Sequence, residues 1–315
     1  MRSFLPEKDF MRNYTTVSLQ YKKAPGYMAQ AVDPGRKQRE FGKGFSLFTR
    51  KLMEGRRESV KDTLQIYISH LLSDEEMKAV VEETGAGVEC IDFSISENLD
   101  HLERSLRDYE KRLKRIGTEK LTLHGPFLDL NPMTFDREIQ KVTEKRYAQA
   151  YKAAEYLGAS KIVYHTCLYP DAYLLMGWAE RTAEFFGSFL EDRSTVEVVI
   201  ENVFDRAWEP MAEMAERVSR ANFRLCLDMG HAHCFSPVSV TQWAQGLEKY
   251  ITHVHVHDNL KDRDSHLGLG EGNLPYEEVL GLLSHKKAVT YTIECSKKEK
   301  VLRSYQELRR LLGSS

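Results

Sequence analysis

The 315-residue sequence contains no run of about 20 apolar residues and no signal-peptide pattern, so no membrane-spanning helix is expected. The expectation is a soluble, cytoplasmic protein. It also lacks a charge excess: the net charge is −2, which gives no global attraction for a polyanion. A duplex-DNA partner would need a local basic patch and is not favoured. Cysteine is sparse and odd in number (Cys90, Cys167, Cys226, Cys234, Cys295), without C-x-x-C spacing, which suits reduced thiols better than a disulfide framework. Cys167 and Cys295 lie close to candidate ligands but read as buried filler. The tryptophans Trp178, Trp208 and Trp243 fall in or beside helical stretches and read as packing residues.

What is present divides into two parts, 1–60 and 61–315. In the first, basic residues outnumber acidic ones roughly two to one, and no apolar period persists. It reads as a poorly ordered basic N-terminal extension, with Met53 as an alternative start. From Thr63 onward, eight short apolar runs alternate with amphipathic stretches. The runs are Thr63–His70, Gly87–Phe93, Lys120–His124, Lys161–His165, Glu197–Glu201, Phe223–Asp228, Ile251–His257 and Val289–Glu294. They have the composition of buried parallel strands. Ser73 with Glu76 predicts a capping box. Helices are expected over Leu99–Ile116, Asp136–Leu157 and Lys300–Leu312, with Gly117 and Gly158 as stops. Eight strand–helix units predict a (β/α)8 TIM barrel. An open doubly wound sheet would usually show a glycine-rich first turn, which Leu71–Ser73 lacks.

The chemistry lies where the strands end. Strands 3 to 6 end in His124, His165, Glu201 and Asp228, strand 7 carries His255 and His257, and strand 8 ends in Glu294. In a (β/α)8 barrel that end is the active-site face. Carboxylates converging there repel unless a cation neutralises them, and mixed imidazole and carboxylate ligands suit Zn²⁺, Mn²⁺, Fe²⁺ or Co²⁺. His231 follows Asp228 by three residues. Asp264 and His266 precede a turn containing Gly268, Gly270 and Gly272. His253, His255 and His257 share one face; His253 reads as a core residue, and either of the others is open as a ligand. His70, at the end of strand 1, is a residue behind the ligands at most.

The stretches Leu123-His-Gly-Pro-Phe127, Val163-Tyr-His165, Ile200-Glu-Asn202, Leu227-Asp-Met-Gly-His231, His255-Val-His-Asp258, Asp264-Ser-His266 through Gly272 and Ile293-Glu294 carry a resemblance to the xylose-isomerase-like barrel superfamily, from about Thr63 to Leu312. That superfamily holds sugar isomerases and epimerases as well as endonuclease IV-type enzymes. The resemblance implies, for the isomerases and epimerases, one divalent ion (Mn²⁺, Mg²⁺ or Co²⁺) on Glu201, Asp228, His255 and Glu294, with the two glutamates as catalytic acid and base. For the endonuclease-like enzymes it implies up to three Zn²⁺ ions, adding His124, His165, His231, Asp264 and His266, and it favours His255 over His257 as the ligand. His257, Asn202, Phe127 and His70 are left as supporting or substrate-binding residues. Because all nine positions are filled, the sequence reading leans towards hydrolysis of a phosphoester, a small phosphodiester rather than duplex DNA. A sugar or sugar-phosphate isomerase or epimerase is the alternative. Phe127-Leu128 matches only in part the aromatic pair that the endonucleases use to open DNA. Either way the expected partner is a small phosphorylated or sugar substrate.

Overall fold

The computed structural model describes residues 64–170, 177–286 and 288–313. The expected extension over 1–60 and the alternative start at Met53 lie outside the described residues. The eight strands are β1 (Gln65–Ser69), β2 (Gly87–Cys90), β3 (Leu121–His124), β4 (Lys161–His165), β5 (Glu197–Glu201), β6 (Phe223–Asp228), β7 (Ile251–Val256) and β8 (Thr290–Ile293). All pair in parallel and in chain order, and β1 closes onto β8 from Gln65↔Thr290 to Ile68↔Ile293. The result is the (β/α)8 barrel that the alternation predicts.

Ten helices are described: α1 (Asp74–Thr84), α2 (Ser96–Asp100), α3 (Leu102–Ile116), α4 (Arg137–Leu157), α5 (Trp178–Phe189), α6 (Glu209–Val218), α7 (Met229–Phe235), α8 (Val240–Leu247), α9 (Tyr276–Leu283) and α10 (Lys298–Leu312). Their ends follow local chemistry. Ser73 and Glu76 form the reciprocal capping box that starts α1. Asp136 caps α4 by accepting from the backbone N–H groups of Glu138 and Ile139. Gly117 and Gly158 end α3 and α4 at φ of 88° and 74°, a conformation that costs a side-chain-bearing residue strain. Two expected boundaries shift. The stretch expected as one helix from Leu99 breaks at His101, where φ is −113°. β2 stops at Cys90 rather than Phe93, because the Ser94 hydroxyl donates to the Ile91 carbonyl and Asn98 donates to the Asp92 carbonyl, closing a tight turn.

The main apolar core lies between strands and helices, with Trp178 and Trp243 fully buried in it. A second, small cluster of Val163, Val199 and Cys226 sits inside the barrel. These residues precede His165, Glu201 and Asp228 by two positions on the same face of their strands, so this apolar layer supports the polar residues at the mouth. All five cysteines are free, and burial pushes the Cys167 and Cys295 thiols up to about 12, as suits inert filler. Among the described residues, no helix is long and apolar enough to cross a membrane.

Candidate metal centre at the mouth of the barrel

Strand ends place His124, His165, Glu201 and Asp228, and local capping places the loop residues. Asp228 ends β6 and also caps α7, accepting from the His231 backbone N–H at 2.6 Å. That bond fixes His231 one turn beyond Asp228. Asp258, just after β7, organises the next loop: its carboxylate accepts from the N–H groups of Gly270 (3.0 Å), Gly272 (2.9 Å) and Leu274 (3.1 Å). Asp258 also pairs with Leu267 in an isolated antiparallel bridge, so the intervening chain folds Asp264 and His266 back over the barrel. His266 sits at φ 45°, a strained conformation for a residue with a side chain, of the kind that clusters at functional sites.

Three groups of ligand atoms result. His124, His165 and Glu201 form the first, with both imidazole Nε2 atoms 3.3 Å from a Glu201 oxygen. Glu201, Asp228 and His255 form the second, and Glu294 approaches it: His255 Nδ1 lies 3.4 Å from Glu201, 3.6 Å from Glu294 and 3.9 Å from Asp228. His231, His257, Asp264 and His266 form the third. Glu201 belongs to two groups and lies 3.1 Å from His231 of the third. Backbone carbonyls set several rings: Nδ1 of His124 lies 2.9 Å from the Gly125 oxygen, and Nδ1 of His266 lies 2.8 Å from the Glu294 oxygen. A proton on each Nδ1 leaves Nε2 directed into the cluster as a ligand.

The charges are tightly coupled. Burial pushes the Glu201 carboxyl up, but His255 and His165 overcome this and hold it well below the usual carboxylate range. Burial likewise opposes protonation of His231, yet Asp228 and Asp264 raise it well above an ordinary histidine. His266 rises to about 9 against its burial, through Asp264. Without a cation, the cluster reaches balance by protonating imidazoles that are themselves ligand types. His255 Nδ1, His257 Nδ1 and Asp264 Oδ1 are also buried without a hydrogen-bond partner. Each such atom costs about 1–3 kcal/mol, a cost a bound cation removes. The donor set fits a divalent metal ion.

The sequence profile of the xylose isomerase-like TIM barrel family matches residues 79–312. The chain belongs to that family. Two uncharacterized proteins of Methanocaldococcus jannaschii are similar to it, one 25% identical over 202 residues (59% of this chain), the other 27% identical over 169 residues (50% of this chain). The matches span 67% and 63% of those proteins, about two thirds of their length. Solved barrels share the fold. A D-tagatose 3-epimerase-like protein superposes with a TM-score of 0.66 at 20% identity, covering 80% of this chain and 98% of that one. A Thermus thermophilus protein from a ZnCl2-soaked crystal gives 0.66 at 22% identity over 80% and 99%. The D-psicose 3-epimerase of Clostridium cellulolyticum with D-tagatose gives 0.62 at 14% identity over 79% and 99%.

Within this family member, the remaining candidate residues take different places. Asn202 faces the backbone: its amide donates to the Asp228 carbonyl and its oxygen accepts from the Asp228 N–H, both at 2.9 Å, so it holds that candidate ligand in place. Phe127 stacks on His165 at 4.2 Å and meets His124 edge-on at 5.5 Å, forming an apolar wall over that pair. His257 is fully buried just beyond β7, with Nε2 3.1 Å from Asp228, and lies among the third group. His253 is a bonded core residue, 2.6 Å from the Thr290 hydroxyl and 3.0 Å from Glu89. Glu89 itself, on β2, escaped the sequence reading; the signal was a lone acidic residue inside an apolar strand. Asp258 stands in the sequence only as the end of the His255–Asp258 motif, although a carboxylate twelve residues before a glycine turn is a natural acceptor for its N–H groups.

His70 turns away from the metal groups. Its Nδ1 lies 2.9 Å from the Tyr109 hydroxyl, and its Nε2 lies 3.2 Å from Asp74 and 3.3 Å from Arg112. Burial, then the Arg112 charge, push it down to about 4 from 6.5. The unfolded chain therefore takes up a proton that the folded chain refuses between those two values. Stability is complete above pH 6.5 and falls as the pH drops towards 4, by about 3 kcal/mol in all. Thermal melts of metal-free protein between pH 7 and 4.5 should show a steeper loss for wild type than for His70→Gln. Parallel profiles would contradict this account.

Proposed function

We propose that this chain is a divalent-metal-dependent epimerase or isomerase of a small sugar or sugar phosphate. The observation that carries this reading is the pair of carboxylates at His255: Glu201 from β5 and Glu294 from the end of β8 approach the same imidazole nitrogen at 3.4 and 3.6 Å. They come from strands on different sides of the barrel mouth, and both are buried. Glu201, Asp228, His255 and Glu294 would hold one divalent cation, which when bound supplies polarisation of the substrate's oxygen atoms. Glu201 and Glu294 then divide the proton transfers beside the carbonyl, one removing a proton from carbon and the other returning it. The solved neighbours, a D-tagatose 3-epimerase-like protein and a D-psicose 3-epimerase, support this reading over the hydrolase that the count of ligand types favours.

A second reading, hydrolysis of a phosphoester by up to three zinc ions, keeps one specific observation in its favour. His124 and His165 form a ligand group with the shared Glu201 on one side, and His231, His257, Asp264 and His266 form another on the other side of the central set. A single experiment separates the two. Purified protein is assayed for metal content, for deuterium uptake from D2O into ketohexoses and their phosphates, and for hydrolysis of bis(p-nitrophenyl) phosphate. One exchangeable Mn²⁺ or Co²⁺ with deuterium uptake, retained to within about tenfold in a His124→Ala/His266→Ala double variant, is the expected result. Two to three zinc ions with phosphodiester hydrolysis that the double variant loses would replace this reading by the other.

A further inference from the structure

The floor beneath the metal groups holds a buried carboxylate that neither proposed reaction uses. Glu89, on β2, has no solvent exposure. Its Oε2 is held from three sides: the hydroxyls of Thr122 (2.9 Å) and Thr292 (3.0 Å) donate to it, and His253 Nε2 lies 3.0 Å away. Its Oε1 has no hydrogen-bond partner and lies 3.0 Å from His255 Nε2, which has none either. The opposite nitrogen of that ring, Nδ1, faces Glu201, Asp228 and Glu294. The imidazole thus stands between one carboxylate below and three above.

We infer that Glu89 is a positioning residue that holds His255 with its proton on Nε2, so that the Nδ1 lone pair is presented to the central cation. A carboxylate accepting from the far N–H of a ligating histidine fixes the ring's tautomer and angle and makes the ligand nitrogen a better donor. Three donors on Oε2 keep the Glu89 carboxylate from rotating, and its free Oε1 lies 3.0 Å from Nε2. His253 cannot take the same part as a ligand, because its Nδ1 is engaged by Thr290 and its Nε2 by Glu89 and Thr292. The role rests on the central cation alone and holds for epimerisation and hydrolysis alike.

The test is Co²⁺ titration of the full chain, followed by calorimetry and by the visible Co²⁺ spectrum. Glu89→Gln keeps the size of the side chain but loses its charge, and should weaken binding at the central site about 10- to 100-fold with a changed spectrum. Thr122→Val removes one of the three donors on Oε2 but leaves the Glu89 charge, and should weaken binding less than Glu89→Gln does. Equal affinity in wild type and Glu89→Gln would overturn the role of Glu89, as would a loss in Thr122→Val as large as that in Glu89→Gln. A wild type that binds no Co²⁺ would instead overturn the central cation, and this inference with it. A measurement on the wild type loaded with diamagnetic Zn²⁺ covers the case in which Glu89→Gln does not fold. Long-range ¹H–¹⁵N spectra of the imidazoles, with His255 assigned by its loss in His255→Asn, should show the proton on Nε2; a proton on Nδ1 would refute the inference.

Discussion

Glu201→Gln is expected to lower turnover by at least about 10³-fold, because the glutamate acts twice, as a proton-transfer group and as a ligand. Its two oxygens lie within 3.1 to 3.4 Å of His124, His165, His231 and His255, so it reaches all three ligand groups. Glutamine keeps the shape and one acceptor but gives up the charge. The imidazoles then lose the anion that holds them, and a central cation loses a shared carboxylate. Steady-state kinetics alone would not separate the two losses, so the metal content of the variant is measured beside its kcat. Both should fall. Turnover within tenfold of wild type, at any metal concentration, would remove Glu201 from the centre of the site.

The second large effect comes from Gly230→Ala. Intrinsic helix propensity alone favours alanine in α7 by about 1 kcal/mol. Packing decides against it: a Cβ at Gly230 would lie 2.0 Å from His257 Cε1 and 2.4 Å from its Nδ1. The ring cannot swing aside cheaply. It is fully buried, its Nε2 lies 3.1 and 3.2 Å from the two Asp228 oxygens, and it stacks on His266 at 4.0 Å. Overpacking of this kind costs about 1–3 kcal/mol or more. The variant should melt roughly 5 °C or more below wild type, and it should bind metal more weakly, because moving His257 disturbs both Asp228 and His266. A melting temperature at or above that of wild type would show that the contact relaxes freely.

These effects involve pairs of residues that differ greatly in how visible they are in the chain. The strands could be read because buried parallel strands are continuous apolar runs, and a polar residue that ends such a run stands out against it. Hence His124, His165, Glu201 and Asp228 were identifiable as strand ends before any contact was known. Capping is equally local: Ser73 with Glu76, and Gly117 and Gly158, act within one turn of themselves. The break at His101 was not visible, since the same Leu/Tyr/Ile period runs through it.

The sequence reading also gave weight to the number of ligand types, which pointed to a hydrolase. Under the proposed function, Glu201 and Glu294 at His255 carry the proton transfers without the outer groups. The residue types around the mouth are therefore shared ground, and how many of them engage a cation separates the two reactions.

By itself the sequence determined the alternation of eight strands with helices, the end of the barrel that carries the chemistry, and the residue types gathered there. All of these follow from periodicities and caps that act over a few residues. Only the tertiary structure decided which partner each side chain meets. Glu89 draws on Thr122, His253 and Thr292, the last 203 positions away, because closing β1 onto β8 turns distant strands into neighbours. His70 shares the rim with the ligands in sequence terms, yet Tyr109, Asp74 and Arg112 claim its ring first. The reason is the same in both cases: a strand end states which residue reaches the mouth, while barrel closure and helix packing select the contacts it makes there.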